Sequence, residues 1–184
     1  MVQDTTDGSS SSSSSSSREY CMRFEIAPQA AAWPNVPFTL PVIVSVRTVG
    51  APQDYAVQQL AMNVSLRTES GDPVASYHLS GALTSSVRNH DGNTTSGFAR
   101  FGPLAITQPG RYRLRIALAA ASPVDITIKD YIDSDVVDVH IGAVAHRPTP
   151  TQISRLQSLV PENLDITRAE MEEWEHACFA CFRN

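Results

Sequence analysis

Residues 79–118 read LSGALTSSVRNHDGNTTSGFARFGPLAITQPGRYRLRIAL and carry the strongest structural pattern in the chain. Two turn signals divide the segment. Asp91-Gly92 supplies the positive φ of a hairpin, and Gln108-Pro109-Gly110 is typical of a β-turn. The turn signals separate apolar-alternating runs at residues 82–87, 98–106 and 111–118. We therefore predict a β-meander over this segment.

The last of these runs alternates most cleanly, as a strand with one buried and one solvated face does. Its three arginines at alternate positions share one face, so their guanidinium groups could contact phosphates. The alternatives are cross-strand pairing with acids such as Asp138, or simple solvation. The two faces carry Tyr112, Leu114, Ile116 and Leu118 on one side, and Arg111, Arg113 and Arg115 on the other.

Short β patterns continue on both sides of this segment, with turn signals between them. Many short strands at close spacing predict an antiparallel β-sandwich or barrel, here of about seven or eight strands. In the first strand we expect Met22, Phe24 and Ile26 on one face. In the last we expect Val137, Val139 and Ile141 to point inward. The additional strands are predicted at residues 20–26, 42–48, 60–68, 125–129 and 135–141.

A proline-rich connection at residues 27–41 cannot form a helix or a central strand, so we expect it to cross the surface. Trp33 and Phe38 lie in it. One interpretation is that the two rings fix the connection to the core. Another is that they form a partner-binding surface. A third is that they line a ligand pocket beneath the connection.

The C-terminal part changes to a helical pattern. Thr149 and Gln152 form a capping box, and so do Thr167 and Glu170, which predicts helices ending near residues 159 and 182. The second helix places apolar residues at three- and four-residue spacing. These helices either pack on the sandwich or offer their apolar face to a partner. The candidate partner-binding residues are Trp33, Phe38, Met171, Trp174 and Phe182.

The domain organisation follows from composition. Residues 1–18 are a serine-rich segment that we expect to be disordered. Residues 19–145 form the predicted sandwich, and residues 146–184 a helical extension.

The net charge of -5 argues against nucleic-acid binding by bulk electrostatics. The chain lacks a signal-peptide pattern and a long apolar run, so we expect a protein of the nucleus or cytoplasm, neither secreted nor membrane-bound.

No catalytic motif occurs in the sequence, so we expect neither an enzyme nor a small-molecule substrate, metal or cofactor. Cys178-Phe179-Ala180-Cys181 has CxxC spacing. A redox pair would sit at a helix start, where the dipole lowers the thiol pKa, whereas this one falls at a helix end. The pattern favours packing. Metal or redox use remains the alternative.

The central segment resembles the velvet domain of fungal regulators, over about residues 20–142. The family pattern L-x-G-x-L-x-x-S matches residues 79–86, and its G-x-[YF]-R-L-R-F-x-L strand resembles residues 110–118. Residues 98–104 resemble the family's aromatic strand, and weaker matches are residues 24–29 and 41–44.

The resemblance implies a fold similar to the immunoglobulin-like Rel-homology sandwich, here with two C-terminal α-helices. It also implies homo- or heterodimerisation with velvet proteins and transcriptional control of development and secondary metabolism, with DNA as a candidate ligand. Family DNA binders carry a basic loop after the first strand, but residues 30–35 here are uncharged. A second interpretation is a non-enzymatic interaction subunit that uses its C-terminal helices. The candidate DNA-binding residues are Arg88, Arg100, Arg111, Arg113 and Arg115.

Overall fold

A computed structural model of the chain describes residues 20–49, 59–91, 96–121 and 125–180. The fold is mainly β, with antiparallel sheets packed as a sandwich and two helices at the C-terminal side. The predicted fold class is confirmed. The strands are β1 Tyr20–Ile26, β2 Ala31–Ala32, β3 Val42–Thr48, β4 Gln59–Thr68, β5 Leu79–Ser80, β6 Thr84–Ser86, β7 Gly97–Phe101, β8 Ala105–Ile106, β9 Gly110–Ala121, β10 Ile126–Asp133 and β11 Val137–Val139; the helices are α1 Pro150–Leu159 and α2 Arg168–Phe179.

Two sheets form the sandwich. The smaller sheet has the order β1-β3-β7, and the larger has the order β2-β11-β9-β4-β6, with β10 pairing with β9. The longest pairing joins β4 and β9 from Gln59↔Ala121 to Thr68↔Tyr112. Because side chains alternate along a strand, one face of this pair points into the core. The buried residues on it are Leu60, Met62, Val64, Leu66, Leu114, Ile116 and Leu118.

The smaller sheet is buried on both faces. On β3, Val42, Val44 and Val46 pack in the core between the sheets, while Ile43 packs in a second cluster on the opposite face. A β-bulge in β1 after Phe24 accompanies a change of cluster, so that Ile26 joins Ile43 there. The expectation that Ile26 shares a face with Phe24 is therefore wrong, because the bulge interrupts the alternation.

The two helices supply the other half of this second cluster. Both begin with the predicted capping boxes, since Thr149 and Thr167 each accept a hydrogen bond from the backbone of the third helical residue. Their apolar residues cover the outer face of the smaller sheet, which makes the helices a third layer packed on that sheet. The buried residues of this layer are Ile153, Leu156, Leu159, Leu164, Met171 and Trp174.

The predicted meander is wrong in its pairing. β6 pairs with β4 in the larger sheet, β7 pairs with β3 in the smaller sheet, and β9 lies between β4 and the β10–β11 strands. The chain does reverse near Asp91, where Arg88 and Phe98 form an antiparallel bridge. That reversal carries the chain from one sheet to the other, as sandwich connections do. The run 98–106 is also divided, because Gly102 adopts φ +148 between β7 and β8.

One inward-pointing prediction also fails. Val137 and Val139 are buried as expected, but Ile141 follows the end of β11 and is 76% exposed.

No helix in the described ranges is long and apolar enough to cross a lipid bilayer. The predictions for residues 1–18, Gly92, Cys181 and Phe182 lie outside the described residues.

Candidate functional site

The outer face of the larger sheet carries the predicted arginine stripe. The β4–β9 register pairs Arg113 with Arg67 and Arg115 with Ser65, on the side away from the core. Beyond the end of this register, the carbonyl of Arg111 accepts from the backbone N–H of Glu69. Nη2 of Arg111 donates to Oε1 of Glu69 over 2.8 Å. The alternation in the sequence therefore placed the three arginines on the correct face of the strand.

Arg115 makes a bidentate ion pair with Asp133. Its Nε and Nη2 each donate to one carboxylate oxygen of Asp133 at 2.7 Å, and its guanidinium lies 4.0 Å from the ring centre of Tyr131. These hydrogen bonds lower the pKa of Asp133 and raise the pKa of Arg115. Both groups are therefore ionised at neutral pH and neutralise each other.

Arg113 is bound to the backbone instead. Its Nη1 donates to the carbonyl of Ser134 over 2.9 Å, and its Nε to the carbonyl of Glu69 over 3.2 Å. All three arginines of the stripe thus have partners within the chain. The acids are Glu69 and Asp133 rather than the expected Asp138.

Arg100 lies on β7, at the edge of the smaller sheet. Its Nη1 donates to the carbonyls of Leu164 and Asp165, and its Nη2 donates to the carboxylate of Glu170. Arg100 therefore holds the segment that precedes α2 against the sandwich. Its side chain is only 18% exposed, so little of it is accessible to a second molecule.

Glu170 connects this contact to the start of α2. Its carboxylate accepts from the backbone N–H of Thr167 as part of the capping box, and from Arg100. Burial alone would raise the pKa of Glu170, but these hydrogen bonds outweigh it and lower the pKa. The carboxylate is therefore ionised, which favours both the helix cap and the ion pair.

Further polar contacts surround the docked helices. Arg88 pairs with Asp165 at 2.9 Å, and Arg155 of α1 donates twice to Oε2 of Glu25 on β1. Burial would raise the pKa of Glu25, but hydrogen bonds from Ser45 and Arg155 lower it. All five arginines proposed for DNA therefore make contacts within the chain, as Arg155 does.

A polar cleft of about 500 Å³ opens where the sandwich edge meets the segment before α2. One wall is β6 and the opposite wall is the segment before α2. Two arginines and two carboxylates contribute to the lining, so the charges cancel. The residues that line the cleft are Thr84, Ser85, Ser86, Arg88, Arg100, Gly102, Pro103, Asn163, Leu164, Asp165 and Glu170.

Another part of the larger sheet's outer face exposes apolar side chains on β10, with the polar Gln59 and Asn63 of β4 at its border. Ile126 and Ile128 on β10 are 70% and 62% exposed, and Tyr131 is 52% exposed. The register places them beside small residues on β9 and β4: Ala117, Ala119, Ala121 and Ala61. We call this surface the alanine face. The sequence predicted a strand at residues 125–129 but missed this surface, because the alanines become contiguous with the isoleucines only through the register.

The structure corrects most of the candidate partner-binding residues. Phe38, Met171 and Trp174 are 5%, 8% and 6% exposed, in the chain's own core, so they are not a free surface. Trp33 is 42% exposed, and its Nε1 donates to the carbonyl of Ala143. Because Phe38 is part of the filled core, these two rings do not line an enclosed pocket together.

Two of the three cysteines, Cys21 and Cys178, lie in the described part of the chain. Cys21 is exposed, and Cys178 is partly buried against the helix cluster, as packing requires. Among the described residues, no group of three or more His, Cys, Asp or Glu side chains could hold a metal ion.

Comparisons with known proteins add little to this geometry. No protein-family profile and no curated protein matches the sequence. Among solved structures, the chain is similar to a family 123 glycoside hydrolase from Clostridium perfringens, at 14% identity and a TM-score of 0.33. The match covers 72% of this chain but 28% of the hydrolase chain. Likeness at this level supports no statement about activity.

Proposed function

We propose that this chain is a velvet-like regulatory protein that acts through association with a second protein subunit and has no catalytic activity. The sequence pattern over residues 79–118 motivates the family, and the sandwich with two C-terminal helices agrees with the fold class which that resemblance implies. The role implied by the resemblance is transcriptional control of fungal development and secondary metabolism, from the nucleus or cytoplasm.

The observation that carries the association half of the proposal is the asymmetry of the sandwich. The helices cover the outer face of the smaller sheet, whereas the larger sheet leaves Ile126, Ile128 and Tyr131 exposed together. Exposed apolar surface with a polar border is typical of protein interaction sites. The border here is the arginine stripe with its paired acids.

We propose a second copy of this chain as the occupant of the alanine face. A two-fold axis brings the same patch together from both copies, so a surface that is apolar on one copy meets an apolar surface on the other. Sheets pack face to face at about 10 Å, and alanine side chains permit close approach. The Arg115–Asp133 pair at the border is neutral as a unit, which limits repulsion between two chains that each carry a net charge of -5.

Sedimentation velocity of the full chain over a concentration series tests this proposal. We expect a dimer for the natural sequence and a monomer for Ile128→Lys, which places a charge in the centre of the alanine face. The matched control is Ile141→Lys, because Ile141 is similarly exposed but lies after β11. It should remain dimeric.

Two results would contradict the proposal. One is a natural sequence that stays monomeric at tens of micromolar. The other is an equal loss of association in both lysine variants, which would mean that the alanine face is not the contact.

A further inference from the structure

Arg67 carries a positive charge on the outer face of the larger sheet that no described residue neutralises. It lies on β4 directly opposite Arg113 of β9, on the side away from the core. Its Nε is buried and has no hydrogen-bond partner. Across the described residues, neither a carboxylate nor a carbonyl accepts from its guanidinium group. Because buried donors are normally paired, this arginine is an exception that calls for an explanation.

Arg113 places a second positive charge beside it. Residues directly opposite each other in an antiparallel pair have Cβ atoms about 4.5–5.5 Å apart, so the two guanidinium groups can reach one ligand. Arg113 donates through Nη1 to the carbonyl of Ser134 and through Nε to the carbonyl of Glu69. These bonds hold the side chain in place, but neither acceptor carries a charge. We call Arg67 and Arg113 the arginine pair.

The neighbouring arginines on β9 have carboxylate partners of their own. Arg115 pairs with Asp133, and Arg111 pairs with Glu69. Asp138 lies opposite Arg111 on β11, across β9 from the strand that carries the first member of the arginine pair. The ion pairs cancel, so the arginine pair leaves an excess of two positive charges side by side.

The carboxylate closest to hand is affected by both members of the arginine pair. The pKa of Asp133 is lowered chiefly by hydrogen bonds from Arg115, which outweigh its burial, and further by the charges of Arg67 and Arg113. Both oxygens of Asp133 already accept from Arg115. Asp133 is therefore near the arginine pair but is engaged elsewhere.

We propose that the arginine pair binds a phosphate monoester or free phosphate in its doubly charged form. Like charges directly opposite each other on a sheet destabilise it, and a dianion bound between them removes that repulsion. Guanidinium groups match phosphate oxygens in geometry as well as in charge. A phosphodiester carries one charge and neutralises half of the excess, so the site favours a monoester over the backbone of a nucleic acid.

An NMR titration of the full chain at about pH 7.5 and constant ionic strength tests the proposal. The probes are inorganic phosphate and an acetylated, amidated Gly-phosphoserine-Gly peptide, whose second pKa is about 6. We expect the backbone amide signals of Arg67 and Arg113 to shift, with millimolar or tighter dissociation constants. Diethyl phosphate, a singly charged diester, should bind at least tenfold more weakly.

The two probes also identify the source of the phosphate. Tighter binding of the phosphopeptide than of inorganic phosphate points to a phosphorylated partner protein, and equal binding points to the free ion. Both results support the site. The arginine pair uses no residue of the alanine face, so loss of phosphate binding and loss of the dimer are separate results.

A pair of variants separates a specific site from general charge attraction. Arg67→Gln should weaken phosphate binding at least tenfold. The matched control is Arg47→Gln, which removes the same charge from an exposed position on β3 in the smaller sheet. It should bind phosphate within twofold of the natural sequence. Thermal unfolding checks that both variants fold, and the diester comparison on the natural sequence decides the question if Arg67→Gln does not.

Three outcomes would overturn the proposal. They are the absence of shifts at Arg67 and Arg113 with either probe at tens of millimolar, equal affinity for the diester and the monoester, and equal weakening of phosphate binding by Arg67→Gln and Arg47→Gln.

Discussion

At the level of single residues, the guanidinium of Arg100 joins β7 to the segment before α2. It satisfies the carbonyls of Leu164 and Asp165 and the carboxylate of Glu170. Leaving a partly buried acceptor without its donor lowers the free energy of unfolding, particularly when the acceptor is charged. Arg100 is therefore a structural residue, although the sequence analysis named it as a candidate DNA-binding residue.

Replacement of Arg100 measures this role. We expect Arg100→Ala to lower the free energy of unfolding by about 2–4 kcal/mol, because three acceptors lose their partner. Arg111→Ala is the matched control, since its pair with Glu69 is about half exposed, and exposed pairs contribute about 0–1 kcal/mol. Urea unfolding of the two variants decides the matter. Equal losses in both would contradict the structural role of Arg100.

The sequence predicted which face of β9 holds the arginines but not what they bind. Alternation within one strand is local, so Arg111, Arg113 and Arg115 could be assigned to one face. Their partners come from distant positions: Glu69 is 42 residues from Arg111, and Glu170 is 70 residues from Arg100. Only the tertiary fold determines which acid approaches which arginine.

At the level of elements, the docking of the helices depends on ionised carboxylates. Glu25 binds Arg155 of α1, and Glu170 caps α2 while it binds Arg100. The pKa values of both carboxyls are lowered in the folded chain. The pKa of His146, which precedes α1, is lowered as well, because burial disfavours its charged form.

These shifts predict the direction of the pH dependence. A group with a lowered folded pKa contributes stability above its ordinary pKa and loses it as the pH falls through the folded value. Stability should therefore decline first below 6.5, the ordinary pKa for His146, and more steeply below 4.5, that for Glu25 and Glu170. Thermal unfolding midpoints across this range provide the measurement.

A control variant identifies the source of the acid sensitivity. Glu25→Gln cannot ionise, so it should be less stable at neutral pH and should lose less stability below 4.5. An unfolding midpoint that rises on acidification would be inconsistent with all three shifts.

Elements with local signals were predictable, and the pairing of strands was not. The capping boxes at Thr149 and Thr167 marked the helix starts because a cap is encoded within four residues. The meander failed because turn residues specify a reversal but not the sheet that the returning strand joins. β7 pairs with β3 in the smaller sheet, whereas β6 belongs to the larger sheet, and no local sequence pattern encodes this difference.

At the level of the whole molecule, the order of layers explains which surfaces remain available. The apolar run Val42-Ile43-Val44 has no polar alternation, which is typical of a strand buried on both faces. The sequence left open whether the helices pack on the sandwich or bind a partner, and in the structure they cover the smaller sheet. In the described part of the chain, the larger sheet leaves Ile126, Ile128 and Tyr131 exposed on its outer side, where the alanine face lies.

We propose that the candidate DNA-binding arginines stabilise the fold through contacts within the chain and that the chain acts by binding protein instead of DNA. The most direct measurement is a fluorescence-anisotropy titration of the full chain against mixed-sequence duplex DNA at low and at physiological salt. We predict no rise in anisotropy at either salt concentration up to tens of micromolar protein. Binding that is tight at low salt, weakens steeply as salt rises and is lost in Arg111→Ala would contradict the claim, because that behaviour requires arginine contacts with phosphate.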